Sequence, residues 1–244
     1  MGGVIIMFAG AHCLGQMAAA FIDGKSTDTK PAEQNYKKAL ALARRSAEMF
    51  SAIGQLQMGY LYDGGYADLE KDDVEAFRWF KLAADQNHPE ALNALASCYF
   101  NGDGVSQDFD KAFDLYQRAA DLGLSDALVN VGRMYQFCIG PCKIPAGVNP
   151  RSPEYQSHVA ENMRHAFKCF DRAQELDNPR GCLNAAVFLY NGYLSENKPE
   201  IFASWQLFQK GAKLGDAMCM ANVAKLYDTG ICINGARQLS QDYG

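Results

Sequence analysis

Four groups of residues in this sequence have types and spacings that invite chemistry. Asp228-Thr229-Gly230 spells the triplet used in paired-aspartate proteolysis. That chemistry needs a second such aspartate, on a β-rich frame, so that two carboxyls share one proton. Cys138 and Cys142 form a C-x₃-C pair in a proline-rich stretch. The pair could be a metal clip completed by His158 or His165, a local disulfide, or two thiols in an inert loop. Zinc normally takes four ligands, and no second pair follows at a suitable spacing. His12, His88, His158 and His165 share no common setting, and none stands beside a Ser or Cys with a supporting acid. Gly102-x-Gly104 follows a helical pattern and not a strand, so it is no phosphate loop. The expectation is a chain without catalytic residues, cofactor or bound metal.

A different chemistry, recognition, is carried by two columns of side chains. Gln16, Gln57, Ala94, Asn130, Asn184 and Asn222 form one of them. Amides offer a donor and an acceptor together, so they can satisfy the backbone of an extended peptide without demanding its sequence. Three residues further along stand Ala19, Tyr60, Ser97, Arg133, Val187 and Lys225, a varied column suited to selectivity. The candidate partner-binding residues are therefore Gln16, Gln57, Tyr60, Asn130, Arg133, Asn184, Asn222 and Lys225. The competing reading is that the amides bond within the protein and serve the fold.

Both columns are set by a repeat. A small residue, an aliphatic at +4, a second small residue at +5, an aromatic at +8 and a glycine at +11 recur six times. The copies begin at Cys13, Gly54, Ala91, Ala127, Gly181 and Cys219, with Cys138 for the glycine in copy four and Leu189 for the aromatic in copy five. The amides are at +3 and the varied column at +6. Fixed-period self-similarity of this kind marks a solenoid. Each first half reads as a helix ended by its glycine, which accepts left-handed backbone. The second half carries apolar residues at helical spacing: Phe77, Phe80 and Ala84; Phe113, Tyr116 and Ala120; Phe167, Phe170 and Ala173; Trp205, Phe208 and Ala212. Small residues at +0 and +5 should let helices approach, with aromatics filling the wedge between successive pairs. Burying each such ring is worth about 1.5–3 kcal/mol.

Successive copies begin 41, 37, 36, 54 and 38 residues apart. The next copy always starts four residues after Phe50, Asn87, Gly123, Asp177 or Gly215, so the turn between copies has one length and variation falls inside each copy. The expected repeats are 10–50, 51–87, 88–123, 124–177, 178–215 and 216–244, the last incomplete, after a short apolar segment 1–9. Copy four holds an oversized insertion, 138–161, whose Pro141, Pro145, Pro150 and Pro153 argue against helix. Unfinished ends imply a fragment of a longer array or end-to-end self-association.

With 48% hydrophobic and 21% charged residues the chain can bury a core. A net charge of −5 without a basic stripe argues against nucleic-acid binding. The eight cysteines are expected to be mostly buried free thiols, because several take the repeat's small-residue positions. Residues 1–22 hold no charged side chain, so no basic n-region precedes the apolar Val4–Ala9. That disfavours a secretory signal, and the lack of an N-x-[ST] acceptor weakly favours the cytoplasm. No membrane insertion is expected.

The pattern, including Gly102-x-Gly104-Val105 before Lys111-Ala112 and Ala119-Ala120, resembles the Sel1-like repeat family, relatives of the tetratricopeptide repeats. The resemblance implies an all-α, right-handed α-solenoid of stacked two-helix repeats, with the first helices on the concave face. It also implies a non-catalytic adaptor that holds a protein or peptide. An alternative the resemblance allows is a subunit of a degradation complex associated with the endoplasmic reticulum or a membrane. A repeat-fold enzyme is the third. A disulfide-rich branch of the family places cysteine at the end of the second helix. Here those positions are Ala47, Ala84, Ala120, Gln174 and Ala212, which argues against a disulfide ladder.

Overall fold

The computed structural model describes residues 15, 16, 18, 19, 32–194 and 199–228. Cys13, Met17, Phe21, Gly24, the segment 1–9, Thr229, Gly230 and the tail to 244 lie outside them. Among the described residues every regular element is helical. The α-helices are α1 (Ala32–Glu48), α2 (Ala52–Gly64), α3 (Asp73–Ala84), α4 (Pro89–Asn101) and α5 (Phe109–Asp121). They continue as α6 (Ser125–Gln136), α7 (Pro153–Glu175), α8 (Pro179–Asn191), α9 (Ile201–Lys213) and α10 (Ala217–Asp228), with a 3₁₀ turn at Gly140–Cys142. The chain divides into two compact units, residues 1–122 and 123–244, and within each unit every α-helix packs on the next.

Helix boundaries follow from their caps. The side chains of Asp72, Asp108, Ser152 and Asn178 accept backbone N–H bonds from the first turns of α3, α5, α7 and α8. Each such cap satisfies a donor that the helix cannot. The repeat glycines Gly65, Gly102 and Gly192 end α2, α4 and α8 in left-handed backbone. In copy four Cys138 takes that conformation itself, with φ +52°.

The fixed turn between copies has one physical cause. Phe50, Asn87, Gly123, Asp177 and Gly215 all have positive φ, between +54° and +92°. After α1 the N–H of Phe50 bonds the carbonyl of Ala47 and that of Ser51 the carbonyl of Ser46. The same pair of bonds recurs at Asn87 and His88, at Asp177 and Asn178, and at Gly215 and Asp216. This is a Schellman ending, whose length cannot vary without losing both bonds.

The two aromatic rows of the second helices have different jobs. Phe80, Tyr116, Phe170 and Phe208 are buried, at 0–4% exposure. A β-carbon on Gly59 would strike the Phe80 ring, and one on Gly132 would lie 2.6 Å from Cε1 of Phe170. The +5 small residue is therefore the seat of the buried ring within the same repeat. The +0 residue instead admits the preceding repeat: a β-carbon on Gly181 would lie 2.7 Å from Cβ of Ala173. The other row, Phe77, Phe113, Phe167 and Trp205, is half-buried. Phe77 meets Tyr99 of the next repeat edge-on at 5.5 Å, and Trp205 meets Tyr227 at 6.5 Å. This outer row fills the wedge between pairs.

The insertion expected as a proline-rich loop over 138–161 needs correction, because Pro153 begins a helix of 23 residues. Proline suits that place, since the N–H it lacks would have no helical partner in the first turn. Ser152 caps the helix by accepting from the N–H of Tyr155 at 3.1 Å. The added turns pin the shorter loop: Asn162 Nδ2 donates to the carbonyl of Cys142 at 2.7 Å and to Cys138 Sγ at 3.4 Å.

Candidate functional site: two grooves on the first-helix face

Offsets −1 and +2, −1 and +3, +2 and +6, and +3 and +6 are each three or four residues apart, so the four share one face of each first helix. In the first unit this face encloses a groove of about 320 Å³. Gln16 and Ala19 line it from copy one, and Ile53, Leu56, Gln57 and Tyr60 from α2. His88 and Glu90, at the start of α4, close the other side. The volume is at the lower end of the range for binding pockets in proteins. Tyr60 is half-buried, its ring edge-on to Phe80 at 5.2 Å. Glu90 Oε2 lies 3.1 Å from His88 Nδ1.

The second unit has a smaller groove of about 90 Å³. Asn222 and Lys225 of α10 line it together with Val187, Tyr190 and Asn191 of α8, over a floor of Phe208 and Leu226. Asn130, Arg133 and Asn184 line neither groove. Arg133 is exposed, and Asn130 and Asn184 are half-buried on their helices.

The amides are not equivalent. Asn222 Nδ2 donates to the Met218 carbonyl of its own helix at 2.9 Å. Gln57 is only 7% exposed and borders the first groove. Neighbouring Gln55, by contrast, accepts from Gln86 Nε2 at 2.8 Å. His88, Glu90, Ile53 and Leu56 were not among the candidates. The repeat register contained the signal for three of them, since Ile53 and Glu90 share offset −1 and Leu56 is at +2.

Cys138 and Cys142 lie near one another, both against Asn162. Among the described residues no group of three or more His, Cys, Asp or Glu is arranged to hold a metal ion. The six described cysteines are free thiols. Burial pushes Cys98, Cys142 and Cys219 up to about 12 and Cys169 up to about 11, so these thiols stay protonated and poorly nucleophilic at neutral pH. His165 stacks on Tyr135 at 5.0 Å. No described helix is long and apolar enough to cross a membrane.

The Sel1 repeat family model matches residues 16–49, 52–88, 89–124 and 179–216, more than half of the chain. The chain belongs to the Sel1 repeat family. This Sel1 repeat protein is 27% identical over 182 residues to chitin synthase regulatory factor 2 of Schizosaccharomyces pombe, an alignment covering 70% of the chain and 32% of that relative. It is 34% identical over 107 residues to protein sel-1 homolog 2 of Rattus norvegicus, covering 43% of the chain and 15% of the relative. The chain thus spans a third or less of these curated relatives. A crystal structure of a Sel1 repeat protein from Oxalobacter formigenes superposes with a TM-score of 0.68 at 21% identity, over 89% of this chain and 78% of the other. That likeness concerns the fold, an all-α solenoid of two-helix repeats.

Proposed function

We propose that this Sel1 repeat protein is a non-catalytic adaptor that holds a protein or peptide partner along its first-helix faces. The observation carrying the reading is that each unit opens a groove on the +3 and +6 columns, at Gln57 and Tyr60 in one and at Asn222 and Lys225 in the other. The repeat's packing residues are spent on the core, so these columns are what remains to recognise a ligand. A regulatory setting is consistent with the name of the fission-yeast relative.

The test is selection of binders from a random peptide library displayed against the whole chain, followed by anisotropy titrations. Tyr60→Ala should abolish one class of binder and Lys225→Ala another, with thermal melts unchanged. Binders that ignore both substitutions would sink the reading. A melt lowered in step with lost binding would show that the columns serve the fold.

A further inference from the structure

We propose that the groove of the first unit takes an extended basic segment, a lysine or arginine flanked by aliphatic side chains. The proposal rests on the peptide-holding reading and names the chemistry of what is held. The first observation is Gln57, a residue that is 93% buried and whose side chain borders the groove. An amide at the edge of a groove can hydrogen-bond with whatever fills the space beside it. A peptide backbone supplies one carbonyl and one N–H at the spacing of that amide's donor and acceptor. Ile53 and Leu56 offer the apolar surface on which neighbouring aliphatic side chains, or the methylene stem of a lysine, can lie.

Charge decides the rest. Among the described residues lining this groove, Glu90 is the one acidic side chain and none is a lysine or arginine. Its carboxylate is half-exposed, with Oε2 3.1 Å from His88 Nδ1. The N-terminus of α4 would by itself favour an anion, but Glu90 stands in its first turn and already answers that field. The surrounding unit has the same sign: residues 1–122 hold 17 acidic and 11 basic side chains, a net of −6. Residues 123–244 hold 11 acidic and 12 basic, a net of +1, and Lys225 lines their groove. The charge imbalance of the chain therefore belongs to the unit whose groove carries the carboxylate, and a cationic segment is the complementary partner.

The experiment uses the full chain and fluorescein-labelled heptapeptides with a Leu-Xaa-Leu centre, Xaa being Arg, Gln or Glu. The expected order of affinity is Arg, then Gln, then Glu, with about tenfold between the extremes, narrowing as salt is raised. Glu90→Gln should remove most of the preference and Glu90→Lys should invert it. Gln57→Leu should weaken all three peptides alike, with the thermal melt confirming that the variant is folded. Equal binding of the three peptides, lost in Tyr60→Ala, would overturn the proposal and leave the peptide-holding reading standing. A preference for the Glu peptide would overturn it in the same way. Binding of no heptapeptide would overturn the proposal, whereas the peptide-holding reading stands or falls on the library selection.

Discussion

The ring of Phe170 occupies the place where a side chain on Gly132 would begin, with Cε1 2.6 Å from the position of a β-carbon there. Phe170 is fully buried and cannot swing aside. Gly132→Ala gains up to about 1 kcal/mol of helix propensity, but the forced overpacking costs about 1–3 kcal/mol. The net effect should be a lower denaturation midpoint. Phe170→Leu in the Gly132→Ala background should recover part of the loss, because the two changes act on one contact. Urea titrations of the single and double variants measure this.

Phe50 does at the first turn what Gly123 and Gly215 do at others, with φ +58° and 77% of its surface exposed. A left-handed conformation costs a bulky residue roughly 1–2 kcal/mol, and asparagine less. Phe50→Asn should therefore raise stability by about 1 kcal/mol, read as an increased melting temperature. An unchanged or lower melt would show that the exposed ring contributes more than its backbone strain.

Asn178 holds two helix starts together. It accepts from the N–H of Gly181 at 3.0 Å, and its Nδ2 donates to Asp126 Oδ1 at 2.9 Å and to Ser125 Oγ at 3.0 Å. Its side chain is buried, so Asn178→Ala leaves those groups without their partner and should cost about 2 kcal/mol. Asn178→Asp keeps the cap but sets a second carboxylate against Asp126, and should cost more at pH 7 than at pH 4. Chemical denaturation at the two pH values checks both.

Asp63 supplies the pH dependence. Burial raises its carboxyl above the usual range, Lys71 partly offsets this, and Asp73 and Asp103 add to it. The native state then binds the proton more tightly than the unfolded chain, so this group lowers stability as pH rises from the unfolded value through the native one. Asp63→Asn should raise the denaturation midpoint at pH 7 and leave it nearly unchanged at pH 3, where both states carry the proton. An equal shift at both pH values would point to packing and not to ionisation.

The repeat was legible in the sequence because each of its terms is a local constraint. Gly65, Gly102 and Gly192 end their helices in left-handed backbone, and Asp72 and Asp108 start theirs by offering an oxygen to orphan N–H groups. The constant spacing after Phe50, Asn87, Gly123, Asp177 and Gly215 is the signature of one turn geometry. The prolines of the copy-four insertion misled in one respect, because Pro153 opens a helix where only its position relative to the Ser152 cap distinguishes a start from a break.

By itself the sequence determined the all-helical class and the register of the copies. Only the tertiary structure decided which aromatic row is sealed in and which bridges neighbours, since Phe77 and Phe80 are the same residue type and differ only in what lies opposite. It also decided which amides border a groove. Gln57 and Asn184 share one offset, yet Gln57 lines the larger groove and Asn184 lines neither. A groove depends on the side chains that adjacent helices bring to it, His88 and Glu90 among them, and distance in space is not written in the period of a repeat.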